Sequence, residues 1–462
     1  MDQAAATRTG AVMEAIRRRI AARALGAGDR LPSIRGFAAT MGVSPSTVVE
    51  AYDRLAAEGL IRSRPGSGFT VAGHPPLAVA AIAARPDPAM DPLWVSRRSL
   101  DAGAAIPKPG CGWLPPDWMP VAALRRSMRR IARGGDAVLT DYGDARGSAD
   151  LRRLLARRFA AEGLDAGPDA ILLTASASQS FDLVCRALLR PGDTVLVDDP
   201  CYFNFQAALR AHGARAVGVA MTPSGPDPDL FAAALDAHRP RIYVTNSALQ
   251  NPTGATLSAQ AAHRLLGAAA AHDLAVVEDD TFADLEPEPS PRLAVLDGLG
   301  RVIRIGGFSK TLSASTRCGY VAAKPDLVEA LVDLQVATSF GGPSPVAAGL
   351  VHGALSDGSY RKHLASLRTR LSEARRDTAG RLCDLGIRPW LMPRGGFTLW
   401  CRLPDGRDAA AAARAASRDD VVLAPGDVFS VSQTATDMMR FNVAQMSDPR
   451  VYPVLARALA AA

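Results

Sequence analysis

The sequence predicts an α/β body, a mostly parallel sheet covered by helices, behind a small winged helix-turn-helix domain. Two observations carry this expectation. From about residue 111 to 462, short apolar runs with polar ends alternate with helical stretches, the pattern of a parallel sheet covered on both faces. Ahead of it, three helix signals and a hairpin signal crowd into residues 11–72. At 462 residues the chain is too long for one ordinary core. Ala and Arg are abundant, so apolar periodicity says less than usual, because Ala fits any face.

The first helix, AVMEAIRRRIAARAL, has apolar residues at helical spacing and is ended by Gly26 and Gly28. The second, in LPSIRGFAATM, has Ser33 as its N-cap and stops at Gly42. The third, in VSPSTVVEAYDRLAAEGL, is capped by Ser44, carries Pro45 in its first turn and closes at Gly59. IRSRPGSGFTVAG then reads as two short strands about a Pro-Gly-Ser-Gly turn. Together these make a winged helix-turn-helix over residues 1–73. Ser46, Thr47, Glu50 and Asp53 lie on the outer face of the third helix and suit groove contacts. Arg35, Arg62 and Arg64 are placed for phosphates or the minor groove. Residues 1–73 hold ten arginines against six acidic residues, which favours an anionic partner such as double-stranded DNA. A basic solvated face on a helical cap domain is the plainer alternative.

Residues 74–110 are Pro-rich and read as a partly semi-rigid linker, with a helical segment, DPLWVSRRSL, able to dock on the next domain. The body follows over 111–462. Its strands are read in AILLTAS, DTVLVDDP, RIYVTNS, LAVVEDD and RVIRIGGFSK, whose polar ends gather at one edge of the sheet, where α/β ligand sites form. No apolar run is long enough to cross a bilayer, and MDQAAATRTG has no secretory apolar core. Six scattered cysteines show no metal-like spacing, so free thiols in a reducing cytoplasm are expected, with no metal.

Of 53 basic residues only Lys108, Lys310, Lys324 and Lys362 are lysine. Where charge alone was needed, this chain uses Arg. Lys310 sits in an uncharged stretch, GGFSKTLSAS, which points to what guanidinium cannot do: nucleophilic attack by a deprotonated amine to form a Schiff base. The other strand ends supply matching parts. ASASQSFDLVCRALL opens a helix whose N-terminus suits a phosphate, as it also suits an ordinary turn. Tyr202 could stack on a planar ring or simply pack. Asn251 sits in an Asn-Pro-Thr-Gly turn preceded by Gln250. Glu278, Asp279 and Asp280 offer a carboxylate for a pyridinium nitrogen, and no His cluster accompanies them for a metal. Arg317 follows Lys310 by seven residues. Taken together, this is the set needed to hold pyridoxal phosphate.

YGDARG, DPCYFNF, LQNPTG, VVEDDTFADL, FSKTLSASTRCGY, GGFTLW and RFNVA occur in an order and spacing that resembles fold-type I aminotransferases of the class I/II group, over about 135–446. Residues 11–72 resemble the GntR-type winged helix, and the combination looks like a MocR-type transcriptional regulator. The resemblance implies a mostly parallel seven-stranded sheet with a small C-terminal α+β subdomain, built as a homodimer. It implies that Lys310 forms the internal aldimine, Asp279 pairs with the pyridine nitrogen, Asn251 approaches the ring hydroxyl and Tyr202 stacks on the ring. Ala177, Ser178 and Arg317 would hold the phosphate, with Tyr142 reaching it from a partner subunit. Arg440 would bind an amino-acid α-carboxylate. Ser44, Ser46, Thr47 and Gly66, with Arg35, Arg62 and Arg64, would form the DNA-binding face.

Three positions depart from the family pattern. Phe282 stands where a tyrosine usually hydrogen-bonds the ring oxygen, so either another hydroxyl such as that of Thr281 substitutes or the aldimine pKa is altered. Gly307 replaces a usual Ser or Thr, and Pro45 replaces a common Arg of the winged helix. The leading expectation is a regulator that senses an amine or amino acid through Lys310. A working aminotransferase with a DNA-binding appendage, and a regulator whose lysine holds no cofactor, are the alternatives.

Overall fold

The computed structural model describes residues 7–22, 24–26, 28–64, 68–72, 92–103 and 105–462. The chain separates into two units, Met1–Arg85 and Pro86–Ala462.

The first unit has helices α1 (Arg8–Ala21), α2 (Ile34–Met41) and α3 (Pro45–Ala57), then strands β1 (Ile61–Arg64) and β2 (Gly68–Val71). The expected caps form. Ser33 accepts from the Gly36 amide and Ser44 from the Thr47 amide, while Gly42 takes the left-handed conformation that ends α2. The helix α1 starts at Arg8, earlier than its apolar pattern suggests, because the Thr7 hydroxyl accepts from the Gly10 amide. β1 and β2 pair antiparallel, Ile61 opposite Val71, and Arg30 bridges to Thr70. Val12, Ile16, Phe37, Val48, Tyr52, Leu55 and Ile61 form the core. Tyr52 donates to the Pro32 carbonyl at 3.0 Å and packs edge-on against Phe69. The core therefore locks α2, α3 and the wing to one another.

The second unit begins, among the described residues, with helix α4 (Pro92–Asp101). Its large sheet uses β3 (Ile171–Thr174), β4 (Thr194–Asp199), β5 (Arg215–Thr222), β6 (Gly225–Pro226), β7 (Ile242–Thr245), β8 (Ala275–Asp279), β9 (Val302–Gly307) and β10 (Gly319–Ala322), in the order β3-β10-β9-β8-β7-β4-β5-β6. The run from β9 to β5 is parallel; β10 is antiparallel to both its neighbours. The sheet thus has eight strands, not seven. The extra one is β6, two residues that turn back against the end of β5. Side chains alternate between two buried layers: Tyr243 joins Leu196, Val276 and Val302, while Ile242 and Val244 join Val195, Val277 and Ile303. Burial on both faces is why these strands read as unbroken apolar runs.

A 26-residue helix, Ser359–Asp384, leads to the smaller sheet. That sheet holds β11 (Arg388–Pro389), β12 (Thr398–Arg402), β13 (Ala424–Pro425) and β14 (Met438–Asn442) in the antiparallel order β11-β12-β14-β13. Its own core includes Leu371, Leu382, Phe397, Leu399, Phe441 and Leu455.

Candidate functional site

β3 runs antiparallel to β10, which runs antiparallel to β9, so β3 shares the direction of the parallel set. The C-terminal ends of β3, β4, β7, β8 and β9 therefore meet at one edge. A cavity of about 570 Å³ lies there, lined among others by Ala177, Ser178, Tyr202, Asn251, Asp279, Lys310, Arg317 and Arg440. Eight residues scattered over 264 positions of sequence are thus brought together. Of the expected cofactor-binding residues, Tyr142 does not join them: it is 75% exposed and packs edge-on against Phe340 at 4.8 Å.

Each side chain has a local cause for its position. The Ser176 hydroxyl caps the helix Ala177–Leu188 by accepting from the Gln179 amide, leaving the Ala177 and Ser178 N–H groups without intrahelical partners. Gln250 shapes the turn that holds Asn251: its amide nitrogen donates to the Pro200 carbonyl at 2.7 Å, and its oxygen accepts from Thr253. Buried Asp198 anchors this region by accepting from Tyr243, Thr245, the Asn246 amide and Gln250, and burial raises its carboxyl to about 6.

The three consecutive carboxylates of the β8 end diverge as strand alternation requires. Glu278 accepts from the Leu293 and Ala294 amides at 2.8 Å. Asp280 lies in a buried ionic cluster with Arg292 and Arg304. Only Asp279 lines the cavity. Burial pushes its carboxyl up, opposed by hydrogen bonds from the Thr281 hydroxyl and amide. This corrects one expectation. The Thr281 hydroxyl is committed to Asp279 and does not stand in for the missing tyrosine hydroxyl. Phe282 turns into the core beside Phe397 while still lining the cavity.

Lys310 is half-buried, and its pKa is lowered to about 8, first by desolvation and then by the Arg440 cation. Its Nζ donates to the Gly112 carbonyl at 2.6 Å. Arg440 is 1% exposed; it donates to Asn251 Oδ1 at 2.8 Å and to the Gly110 carbonyl at 2.6 Å, and lies 4.6 Å over the Phe429 ring. Its Nε has no partner. Burial lowers its pKa to about 10.

The segment 107–112 is the part of the site that sequence reasoning placed mostly in the linker. Gly110 pairs with Val422, and the Asn442 amide donates to Pro109. A Cβ on Gly110 would lie 2.5 Å from the backbone of Leu423 and Ala424, so only glycine allows the approach. The Pro-Gly-Cys-Gly run was the available signal; its partners lie far away in sequence.

These residues fit pyridoxal phosphate. There are free N–H groups and Arg317 for a phosphate, and an aromatic ring at Tyr202. With its oxygen taken by Arg440, the Asn251 amide has its N–H₂ free for a ring hydroxyl. A buried carboxylate and a lysine of lowered pKa complete the set. At the second position that departs from the family pattern, the surroundings do not require glycine. A Cβ at Gly307 would lie 3.4 Å from Cys318 O and 3.6 Å from Ala177 N, so a serine has room there.

In the first unit Arg35, Ser46 and Arg62 are exposed and Thr47 is half-buried. Ser44 is chiefly the α3 cap, its hydroxyl also meeting those of Ser46 and Thr47 at 2.8 Å. Glu50 is held by Arg54 at 2.6 Å and by Thr9. Gly66 and the Arg64 side chain lie outside the described residues, as does most of the segment read as a linker.

Comparison with known proteins places both units. The family "Aminotransferase class I and II" matches residues 116–457, and "Bacterial regulatory proteins, gntR family" matches residues 8–71. The chain is 31% identical to the Escherichia coli HTH-type transcriptional regulator YdcR, covering 93% of this chain and 94% of that one. It is 30% identical to the probable rhizopine catabolism regulatory protein MocR of Rhizobium meliloti, over 82% and 77% of the two chains. Among solved structures it resembles LysN, the α-aminoadipate aminotransferase of Thermus thermophilus, complexed with N-(5'-phosphopyridoxyl)-L-leucine, at 28% identity and a TM-score of 0.72, over 79% and 94% of the chains. An archaeal alanine:glyoxylate aminotransferase shares the fold at 24% identity and a TM-score of 0.74, over 81% and 96% of the chains.

Proposed function

Since the chain belongs to the MocR-type regulators, which join a gntR-family DNA-binding domain to a class I and II aminotransferase domain, we propose that it is a homodimeric, pyridoxal-phosphate-dependent regulator that senses an amine or amino acid at Lys310. The observation that carries the reading is a half-buried lysine, its pKa lowered to about 8, in the same cavity as Asp279 and Arg440.

Pyridoxal phosphate, when bound, supplies an aldehyde that condenses with amines and a ring that withdraws electrons from the product. Ala177, Ser178 and Arg317 bind its phosphate. Asp279, oriented by Thr281, holds a proton at the ring nitrogen. Tyr202 would pack against the ring, and the Asn251 amide would meet its hydroxyl. Lys310 loses its proton near pH 8, well below an ordinary lysine, because desolvation and Arg440 disfavour the ammonium, so its amine becomes available for attack and can later accept a proton. Arg440, already fixed by Asn251 and Gly110, receives the effector's α-carboxylate on its planar fork. Regulation requires the effector to bind one arrangement of the protein better than another.

Arg35, Ser46, Thr47 and Arg62 form the DNA face, with Ser44 fixing the helix that presents it; Arg64 and Gly66 are assigned to it from the sequence alone. Dimerisation is supported by large apolar residues left open in one chain: Met128, Leu139, Tyr142 and Phe340. A second copy covering them brings Tyr142 to the partner's phosphate.

The test is a visible-absorption titration of the cofactor-loaded protein with amines and amino acids, no keto acid added. A yellow band that shifts and persists supports a sensor. A band that decays to the colourless amine form of the cofactor supports a working aminotransferase, the second reading, favoured by the complete Lys310, Asp279 and Arg440 set. No yellow band after adding the cofactor overturns the role of Lys310.

A further inference from the structure

Resting on that sensing reading, we infer that the effector is an acidic amino acid carrying a second anionic group, and that Lys108 receives that group. The cavity is lined by four cations, Lys108, Lys310, Arg317 and Arg440, and by one carboxylate, Asp279. The hydrogen bonds these side chains make go to neutral oxygens: Lys108 to the Ala102 carbonyl, Lys310 to the Gly112 carbonyl, and Arg440 to Asn251 and the Gly110 carbonyl. Three of the five charged groups would serve the cofactor: Arg317 its phosphate, Asp279 its ring nitrogen and Lys310 its aldehyde. Arg440 and Lys108 remain. One α-carboxylate satisfies Arg440. A second cation facing the same concave, half-dry space calls for a second anion.

The geometry around Lys108 suits that use. Its ammonium donates to the Ala102 carbonyl at 2.6 Å. With three N–H donors on an ammonium, two remain for a ligand. Its backbone is fixed on both sides: the Val422 amide donates to Pro107 at 3.1 Å, and the Asn442 amide donates to Pro109 at 2.7 Å. The same short segment places the Gly110 carbonyl on Arg440. Lys108 and the carbonyl that holds Arg440 therefore belong to one stapled stretch of chain, which fixes the two cations relative to each other and presets the spacing of the anions they accept. Val95, Leu100 and Trp113 also line the cavity and give apolar surface for an aliphatic stem. Lysine is again the rare choice, in a chain that otherwise uses Arg for charge. Ala102 follows the last residue of α4, so an anion that shares the Lys108 ammonium also acts on the end of the first described helix after the winged unit.

The plainer alternative is that Lys108 only ties down α4. The two are separated by the same absorbance titration on full-length, cofactor-loaded protein, using aspartate, glutamate and 2-aminoadipate against asparagine, glutamine and norleucine. One diacid is expected to bind roughly tenfold or more tighter than its neutral counterpart, the size of one charge-assisted contact. Lys108→Met should abolish that preference while leaving the neutral amino acids unchanged, which also shows the site intact. Lys108→Arg should restore it. Equal affinity for every acidic and neutral pair in the wild type, or a preference that survives Lys108→Met, overturns the inference. A wild type whose band responds to none of the amino acids or amines overturns the sensing reading itself.

Discussion

The tuning of Lys310 begins with desolvation. Taking an ammonium out of water and setting it beside Arg440 lowers its pKa from 10.5 to about 8. The fraction of free amine, and with it the rate at which cofactor-free protein captures pyridoxal phosphate, should climb with pH up to about 8 and then level off. Stopped-flow absorbance at a series of pH values measures this; a rise continuing to pH 10 would mean an ordinary, solvated lysine. Arg440 makes a different prediction. Arg440→Ala should weaken amino acids by about tenfold or more, because a buried bidentate contact is lost. Amines without a carboxylate should be nearly unaffected. Cofactor absorbance read against both ligand classes checks it. Lys310 was legible at this scale because it interrupts a chain of arginines, whereas Lys108, equally rare, lay in a stretch that sequence pattern assigned to a linker.

At the scale of elements, the phosphate end of the cavity depends on β10 passing close beneath the turn that opens the helix Ala177–Leu188. A Cβ on Gly319 would lie 2.6 Å from Ser176 C and 2.8 Å from Ala177 N, both backbone atoms that cannot turn aside. Gly319→Ala is therefore expected to displace the free N–H groups and weaken the cofactor by about tenfold, the worth of one charge-assisted hydrogen bond. Gly307→Ser, where a Cβ meets only ordinary contacts, should instead tighten it severalfold by adding a donor near Ala177. Dissociation constants from cofactor fluorescence test both, and the opposite signs guard against general destabilisation. The caps of α2 and α3 and the strand runs were readable locally, since a cap and its amide are three residues apart. The divergence of Glu278, Asp279 and Asp280 followed from strand alternation, but which face met the cavity did not.

At the scale of the whole molecule, the proposed function divides the work between the two units, DNA for the first and effector for the second. Lys310→Ala should leave affinity for a selected operator within about twofold of wild type while removing any effector dependence; fluorescence anisotropy with and without effector measures both. A mutant that responds like the wild type would sink the Lys310 mechanism. Arg35→Ala should weaken operator binding and reduce the slope of log affinity against log salt by about one, the signature of one lost phosphate contact.

Taken alone, the sequence determined the elements and caps of the first unit, five strands of the large sheet, the fold class and eight of the residues that line the cavity, because helix caps, strand periodicity and ordered motifs are short-range patterns. Tertiary structure decided what lies between those residues. The contact of Arg440 with Gly110 spans 330 positions and that of Lys310 with Gly112 spans 198. Such bonds have no local period to betray them. The charge balance of the cavity, the commitment of Thr281 to Asp279 and the lowered pKa of Lys310 are likewise properties of burial, which exists only once the chain has closed around them.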